Sequence, residues 1–401
     1  MIKKSTRKTL GIYIHIPFCV RKCLYCDFLS APAGREEMER YVTALTREIR
    51  EESGNYADDI VKSVFLGGGT PSLLSAESIV RILNTVYDCF NLDEACEISM
   101  EVNPGTVTLD KLSSWQKSGV NRLSIGLQST VDSELKALGR IHTSKDFLET
   151  YELAIKTGFN NINIDLMSAI PGQTLESYLD TLRRVTSLQP MPTHISSYSL
   201  MIEEGTPFYE NPPVLPDEDC ERKMYKITCD LLTGLGYHQY EISNYALPGY
   251  ECTHNKRYWE RGNYVGFGIG AASMVDNERF QNTNNITRYR NCYLRKEECA
   301  QKKEETSTKN EGIKEARQTL SRQEQMAEFM FLGLRMIKGV SYSEFSHIFG
   351  ATIDQVYPGI VEDFCQKGLL ERRQDPKTGD IRIALTRRGI DVSNVVMAQF
   401  L

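Results

Sequence analysis

Between residue 10 and about residue 200, short β-branched apolar runs alternate with amphipathic helical windows, and that alternation restricts the chain to βα units laid around a parallel sheet. The runs predict strands over 11–18, 61–66, 97–102, 122–127, 162–167 and 194–200. Helices are predicted over 35–52 and 76–87, and near 110–118, 144–157 and 175–187. Six such units make an α/β fold of partial (β/α)6, TIM-like barrel type rather than a closed eightfold one. In these architectures ligands gather at the carboxyl ends of the strands.

The first strand runs directly into Cys19, Cys23 and Cys26, spaced C-x3-C-x2-C. Three thiolates can hold three irons of a [4Fe-4S] cube, which leaves one iron open to a ligand that is not protein. S-adenosylmethionine (SAM) would bind at that open corner. Soft thiolates also select zinc, so a structural zinc ion completed by a histidine such as His15 is the competing reading, and a metal-stapled winged-helix module the corresponding protein. Zinc sites usually pair two separated knuckles, and no second knuckle follows. The chain has 11 cysteines, and those outside the motif are scattered without paired spacing, as buried apolar thiols in a reducing compartment are.

At 401 residues the chain can bury one large core and add a smaller domain. A net charge of -6 gives no broad attraction to nucleic acid. Residues 1–8 look like the start of a secretory signal, but His15 and Pro17 interrupt the apolar stretch, and none elsewhere is long enough to span a bilayer. A cytoplasmic location is the expectation. The barrel core is expected over 1–200 and an extension of it over 201–295, with a helix at 217–235 and a strand at 238–242. A charged linker should follow over 296–320. Helical windows at 323–337, 343–349 and 353–368, followed by two strands joined by an Asp-Pro-Lys-Thr-Gly-Asp turn, outline a winged-helix-like α+β domain over 321–401. The window 353–368 holds only Lys367 as a base, so protein contact suits it better than DNA.

At the strand ends, Gly67, Gly68 and Gly69 let backbone approach a ligand closely, and no Gly-Lys-Ser/Thr closes them into a phosphate loop. Glu101 could accept hydrogen bonds from the ammonium or ribose of SAM, and Arg140 could pair with its carboxylate. Gln128 and Asp165 share that rim, Asp165 only if its side chain points inward. The stretch 266–272 lacks the third glycine of a dinucleotide fingerprint and reads as a close-packed turn walling the cofactor pocket. His254, beside Tyr258 and Trp259, could ligate haem iron while the rings stack on the macrocycle, with Cys252 as a rival ligand. The ordinary role of such a histidine is a hydrogen-bonded core or turn residue.

With these residues assembled, the chain resembles the radical SAM superfamily, and within it the oxygen-independent coproporphyrinogen III oxidase family, in its HemW branch of haem chaperones. The resemblance covers residues 13–28, 67–72, 101–104, 122–128, 138–140, 163–167, 268–273 and the C-terminal domain. It implies a radical SAM barrel in which Cys19, Cys23 and Cys26 ligate the cluster. Tyr13, Tyr25, Gly68, Gly69, Thr70, Glu101, Gln128, Arg140, Asp165 and Ala272 would line the SAM site. Phe28 stands where the family's dehydrogenase carries a further cysteine, and the motif lies closer to residue 1 than in that enzyme. His254-Asn255 with Tyr258-Trp259 matches the HNxxYW motif of haem binding in the chaperones. The implied function is to bind haem and deliver it to respiratory haemoproteins, the cluster supporting homodimer formation or transfer, with membrane contact at most peripheral. The alternative is oxidative decarboxylation of coproporphyrinogen III by the dehydrogenase.

Overall fold

The computed structural model describes residues 8–294, 313–376 and 378–401. Its contacts divide into two units, Met1–Thr228 with Asn263–Gln318, and Cys229–Gly262 with Thr319–Leu401.

In the first unit, β1 (Thr9–Ile16), β2 (Ile60–Gly68), β3 (Asn91–Val102), β4 (Arg122–Gln128), β5 (Ile162–Ser168) and β6 (His194–Ser199) pair in chain order, all parallel. These are the six expected strands. The sheet then continues beyond β1, which the sequence did not reveal. Strand β9 (Tyr264–Phe267) returns parallel to β1, and β10 (Ala272–Val275), β11 (Glu278–Asn282) and β12 (Lys314–Thr319) complete that side. Strands β7 (His238–Glu241) and β8 (Asn244–Ala246) belong to the other unit.

The period-2 geometry of strands sorts the side chains into two faces. Ile98, Met100 and Val102, Leu123, Ile125 and Leu127, and Ile162, Ile164 and Leu166 are buried on one face. Helices bring Ile82, Trp115, Phe147 and Leu182 to the same core. The alternate positions, Ser99 and Glu101, Arg122, Ser124 and Gln128, and Asn163 and Asp165, make the barrel interior polar. Ser75, Thr108, Thr143 and Thr174 start four of the helices, each hydroxyl accepting a backbone N–H of the first turn. Each βα connection thus ends at a fixed point, and the loops carrying the site begin from a rigid frame.

The second unit contains the β7–β8 hairpin, a short helix over Thr253–Trp259, and the C-terminal helices with a three-stranded sheet. In that sheet β13 (Val340–Ser341) and β14 (Leu370–Gln374) flank β15 (Ile381–Leu385), all antiparallel. Two expectations are corrected here. The stretch 201–295 does not stay together, because Tyr240 and Ala246 are buried with Met336, and Tyr250 and Trp259 pack on them. The helix expected over 353–368 divides into Ile353–Val356 and Ile360–Gln366. Pro358 has no N–H to continue the ladder, and Gly359 turns left-handed at φ 77°. Of the expected linker, 296–312 lies outside the described residues, and its end is the edge strand β12 rather than a linker.

Candidate functional site

The chain leaves β1 at Ile16 and makes the cysteine loop, which is pinned at several points. Cys19 N–H donates to Ala31 O (3.2 Å), Leu24 N–H to Leu138 O (3.0 Å) and Phe208 N–H to Leu24 O (3.1 Å). Tyr25 packs with Tyr198 against a buried cluster of Leu138, Met167, Ile170, Leu200 and Phe208. Cys19, Cys23 and Cys26 are half-buried free thiols. Burial pushes the Cys26 thiol up to about 11, so a metal that replaces its proton removes a real cost of ionisation.

Each cysteine meets a donor. Thr70 Oγ1 lies 3.5 Å from Cys19 Sγ, and Arg140 Nη1 points at Cys23 Sγ at 3.8 Å. A backbone hydrogen bond from Phe28 reaches Cys26. Soft thiolates with hydrogen bonds to their sulfurs suit an iron-sulfur cluster. The zinc reading loses its proposed fourth ligand, because both ring nitrogens of His15 are engaged, with Tyr13 Oη at 3.0 Å and Leu29 O at 2.8 Å. Among the described residues, no three His, Cys, Asp or Glu side chains gather closely enough to hold one metal ion.

The residues assigned to SAM surround this loop at the strand ends. Gly68, at φ 109°, donates its N–H to Glu101 Oε2 at 3.0 Å. A Cβ on Gly69 would stand 2.7 Å from Phe18 O and 2.9 Å from Ile16 O, so only glycine lets β2 end against the root of the cysteine loop. Arg140 donates from Nη2 to Gly126 O at 2.8 Å, and its Nε is buried with no hydrogen-bond partner, a donor left for a ligand. Gln128 adopts φ 73°, where the β4–β5 register shifts, and accepts from Tyr198 Oη at 3.1 Å. Asp165 does point inward, accepting from Ser124 Oγ at 3.1 Å and Asn163 Nδ2 at 2.8 Å. Burial, reinforced by Asp165, raises Glu101 to about 8, and burial also raises Asp165. Two carboxyl groups facing one interior favour a cationic guest.

Ala272 opens β10 with its side chain exposed, beyond the turn whose Gly268, at φ 96°, packs on Tyr41 Oη and His15 O. Sequence reasoning passed over Tyr198 and Asn103 as individual site residues. The signal for Tyr198 was its even spacing from His194 and Ser196 along β6.

His254 lies in the second unit and is only 1% exposed, its Nε2 held by Tyr258 Oη at 2.8 Å. Cys252 is fully buried. Both side chains are enclosed in this conformation. Among the described residues, no helix is long and apolar enough to cross a membrane.

Comparison with known proteins agrees with this geometry. Residues 13–185 match the family model of the radical SAM superfamily, and 320–392 that of the HemN C-terminal domain. The heme chaperone HemW of Bacillus subtilis is 34% identical over 394 residues, 97% of this chain and 98% of that one. The heme chaperone HemW of Lactococcus lactis is 33% identical over 98% of both chains, and that of Escherichia coli 45% identical over 66% of this chain and 70% of its own. The solved structure of coproporphyrinogen III oxidase (HemN) from Escherichia coli, a radical SAM enzyme, superposes with a TM-score of 0.78 over 98% of this chain and 90% of that one. At 22% identity that likeness is one of fold.

Proposed function

Because the chain belongs to the HemW family of the radical SAM superfamily, we propose that it is a cytoplasmic haem chaperone. It holds a [4Fe-4S] cluster on Cys19, Cys23 and Cys26, binds SAM beside it, and takes up haem for transfer to acceptor haemoproteins. The observation that carries the reading is the pinned loop of three thiols, each beside a hydrogen-bond donor, set at the mouth of a polar interior. The relatives' names supply the haem.

When bound, the cluster would supply an open iron capable of one-electron chemistry, to which SAM can coordinate. The chain's own residues do the positioning. Arg140, fixed by Gly126 O, pairs with the SAM carboxylate; Glu101, fixed by the Gly68 N–H, receives its ammonium or ribose. Phe28, 59% exposed where the dehydrogenase of this family has another cysteine, adds no thiol. His254 is the haem ligand in this reading, carried by the segment it shares with Asn255, Tyr258 and Trp259.

Anaerobic titration of reconstituted protein with haem and SAM, separately and together, tests this. A Soret band that saturates with haem, without decarboxylation of coproporphyrinogen III, is expected. Product formed from coproporphyrinogen III would replace the chaperone with the dehydrogenase.

A further inference from the structure

Beneath the cysteine loop, a chain of polar side chains connects β3 to one of the thiols. Asn103, just past β3, donates from Nδ2 to Thr70 Oγ1 at 2.9 Å, and Thr70 Oγ1 stands 3.5 Å from Cys19 Sγ. Asn103 is itself fixed. Its N–H donates to Ser72 Oγ at 3.1 Å and its carbonyl accepts from Thr106 Oγ1 at 2.6 Å. The Ser72 and Thr106 hydroxyls lie 2.6 Å apart. Lys111 closes the outer end, with Nζ on Ser72 O at 2.9 Å and on Thr106 O at 3.1 Å. Thr70 is 3% exposed.

The direction of the last hydrogen bond follows from this arrangement. A hydroxyl has one proton and two lone pairs, and one lone pair of Thr70 is taken by the Asn103 amide. A cysteine bound to iron is a thiolate with no proton to give. The Thr70 proton is therefore turned toward Cys19 Sγ. Hydrogen bonds to cluster sulfurs stabilise the more negative, reduced state and raise the reduction potential.

We propose that Thr70, oriented by Asn103, is a potential-tuning residue of the cluster, donating to the Cys19 thiolate in addition to lining the SAM site. Cys23 has a comparable donor in Arg140, but removing that residue would also remove a positive charge, whereas Thr70→Val removes only a hydroxyl. The relay reaches Cys19 alone and leaves Cys23 and Cys26 untouched. This inference rests on the cluster reading above.

The test is an anaerobic redox titration of reconstituted full-length protein, without SAM, followed by electron paramagnetic resonance. Thr70→Val keeps the shape and removes the proton. Its reduction equilibrium should fall about tenfold, which for one electron is about 59 mV. Thr70→Ser should keep the native potential, and Asn103→Leu should give part of the decrease by leaving the hydroxyl free to rotate. Iron and sulfide content is measured on every sample. If the cluster assembles in Thr70→Val and its potential equals that of the native protein, the proposal is overturned while the cluster reading stands. If no [4Fe-4S] signal forms in the native protein, the cluster reading itself fails. Should Thr70→Val not assemble a cluster, Thr70→Ser and Asn103→Leu decide the matter, and equal potentials in these two reject the relay.

Discussion

At the scale of single residues, the proposed haem ligand His254 is buried, with its Nε2 on Tyr258 Oη. Replacing Tyr258 by Phe removes one hydrogen bond, about 1 kcal/mol, that His254 must otherwise give up. Tyr258→Phe is expected to bind haem about fivefold more tightly, and His254→Ala at least about tenfold more weakly, both read from the Soret band. An unchanged affinity in His254→Ala removes His254 from the haem site. Glu101 makes a different prediction. Raised to about 8 from an ordinary 4.5, it keeps its proton in the folded chain where the unfolded chain has lost it. The fold then binds more protons, so stability falls as pH rises through that window and levels off above about 8. His142, lowered to about 4 chiefly by burial, and His15, lowered likewise, act in the opposite sense only up to the ordinary histidine value of 6.5. Glu48, raised by burial to about 7, acts with Glu101 up to that pH. Between pH 7 and 8, the thermal midpoint of cluster-free protein should fall, and Glu101→Gln should flatten the decline, whose slope is at most about 1.4 kcal/mol per pH unit for one proton. Residues such as the three cysteines were legible in the sequence because ligands held by one loop are neighbours in the chain. The Asn103–Thr70 contact was not, since the two lie 33 positions apart and meet only through strand register.

At the scale of elements, the six parallel strands could be read from their apolar alternation, their ends shifted by up to two residues except in β3, which begins six residues earlier than expected. Strands β9 to β11 escaped because they are only four or five residues long, and β11 is mostly polar, a pattern too brief to show a period. The glycines after β2 carry a sharper consequence. Gly69→Ala would force a methyl group into Phe18 and Ile16 backbone, neither of which can swing aside as a side chain does. A loss of at least about 2 kcal/mol is expected from denaturant unfolding, together with reduced iron content on reconstitution. Gly54→Ala, with nothing within 4 Å of its Cβ, is the matched control and should be nearly neutral.

At the scale of the whole molecule, residues 229–262 are continuous in sequence with the barrel but belong by contact with 319–401. Glu241, fully buried, pairs with Arg335 at 3.2 Å, and Arg335 also lies over the Trp259 ring at 4.3 Å. Arg261 pairs with Glu328 at 3.0 Å, both side chains under a tenth exposed. A chain ending at Gln318 would keep Glu241 and Arg261 without these partners, at about 3–5 kcal/mol for each broken buried pair. Such a truncation is expected to elute as aggregate on gel filtration; a monodisperse, folded fragment would show that 229–262 does not depend on the C-terminal residues. No local pattern announces a chain that leaves one unit and returns to it.

The same interleaving sets an order of events during translation. On the ribosome, β1 to β6 and the cysteine loop emerge first, whereas the segment bearing His254 is synthesised long before the residues that enclose it. Until the last part of the chain appears, Tyr240 and Trp259 lack Met336, which completes the core they enter. The second unit is therefore the last to mature.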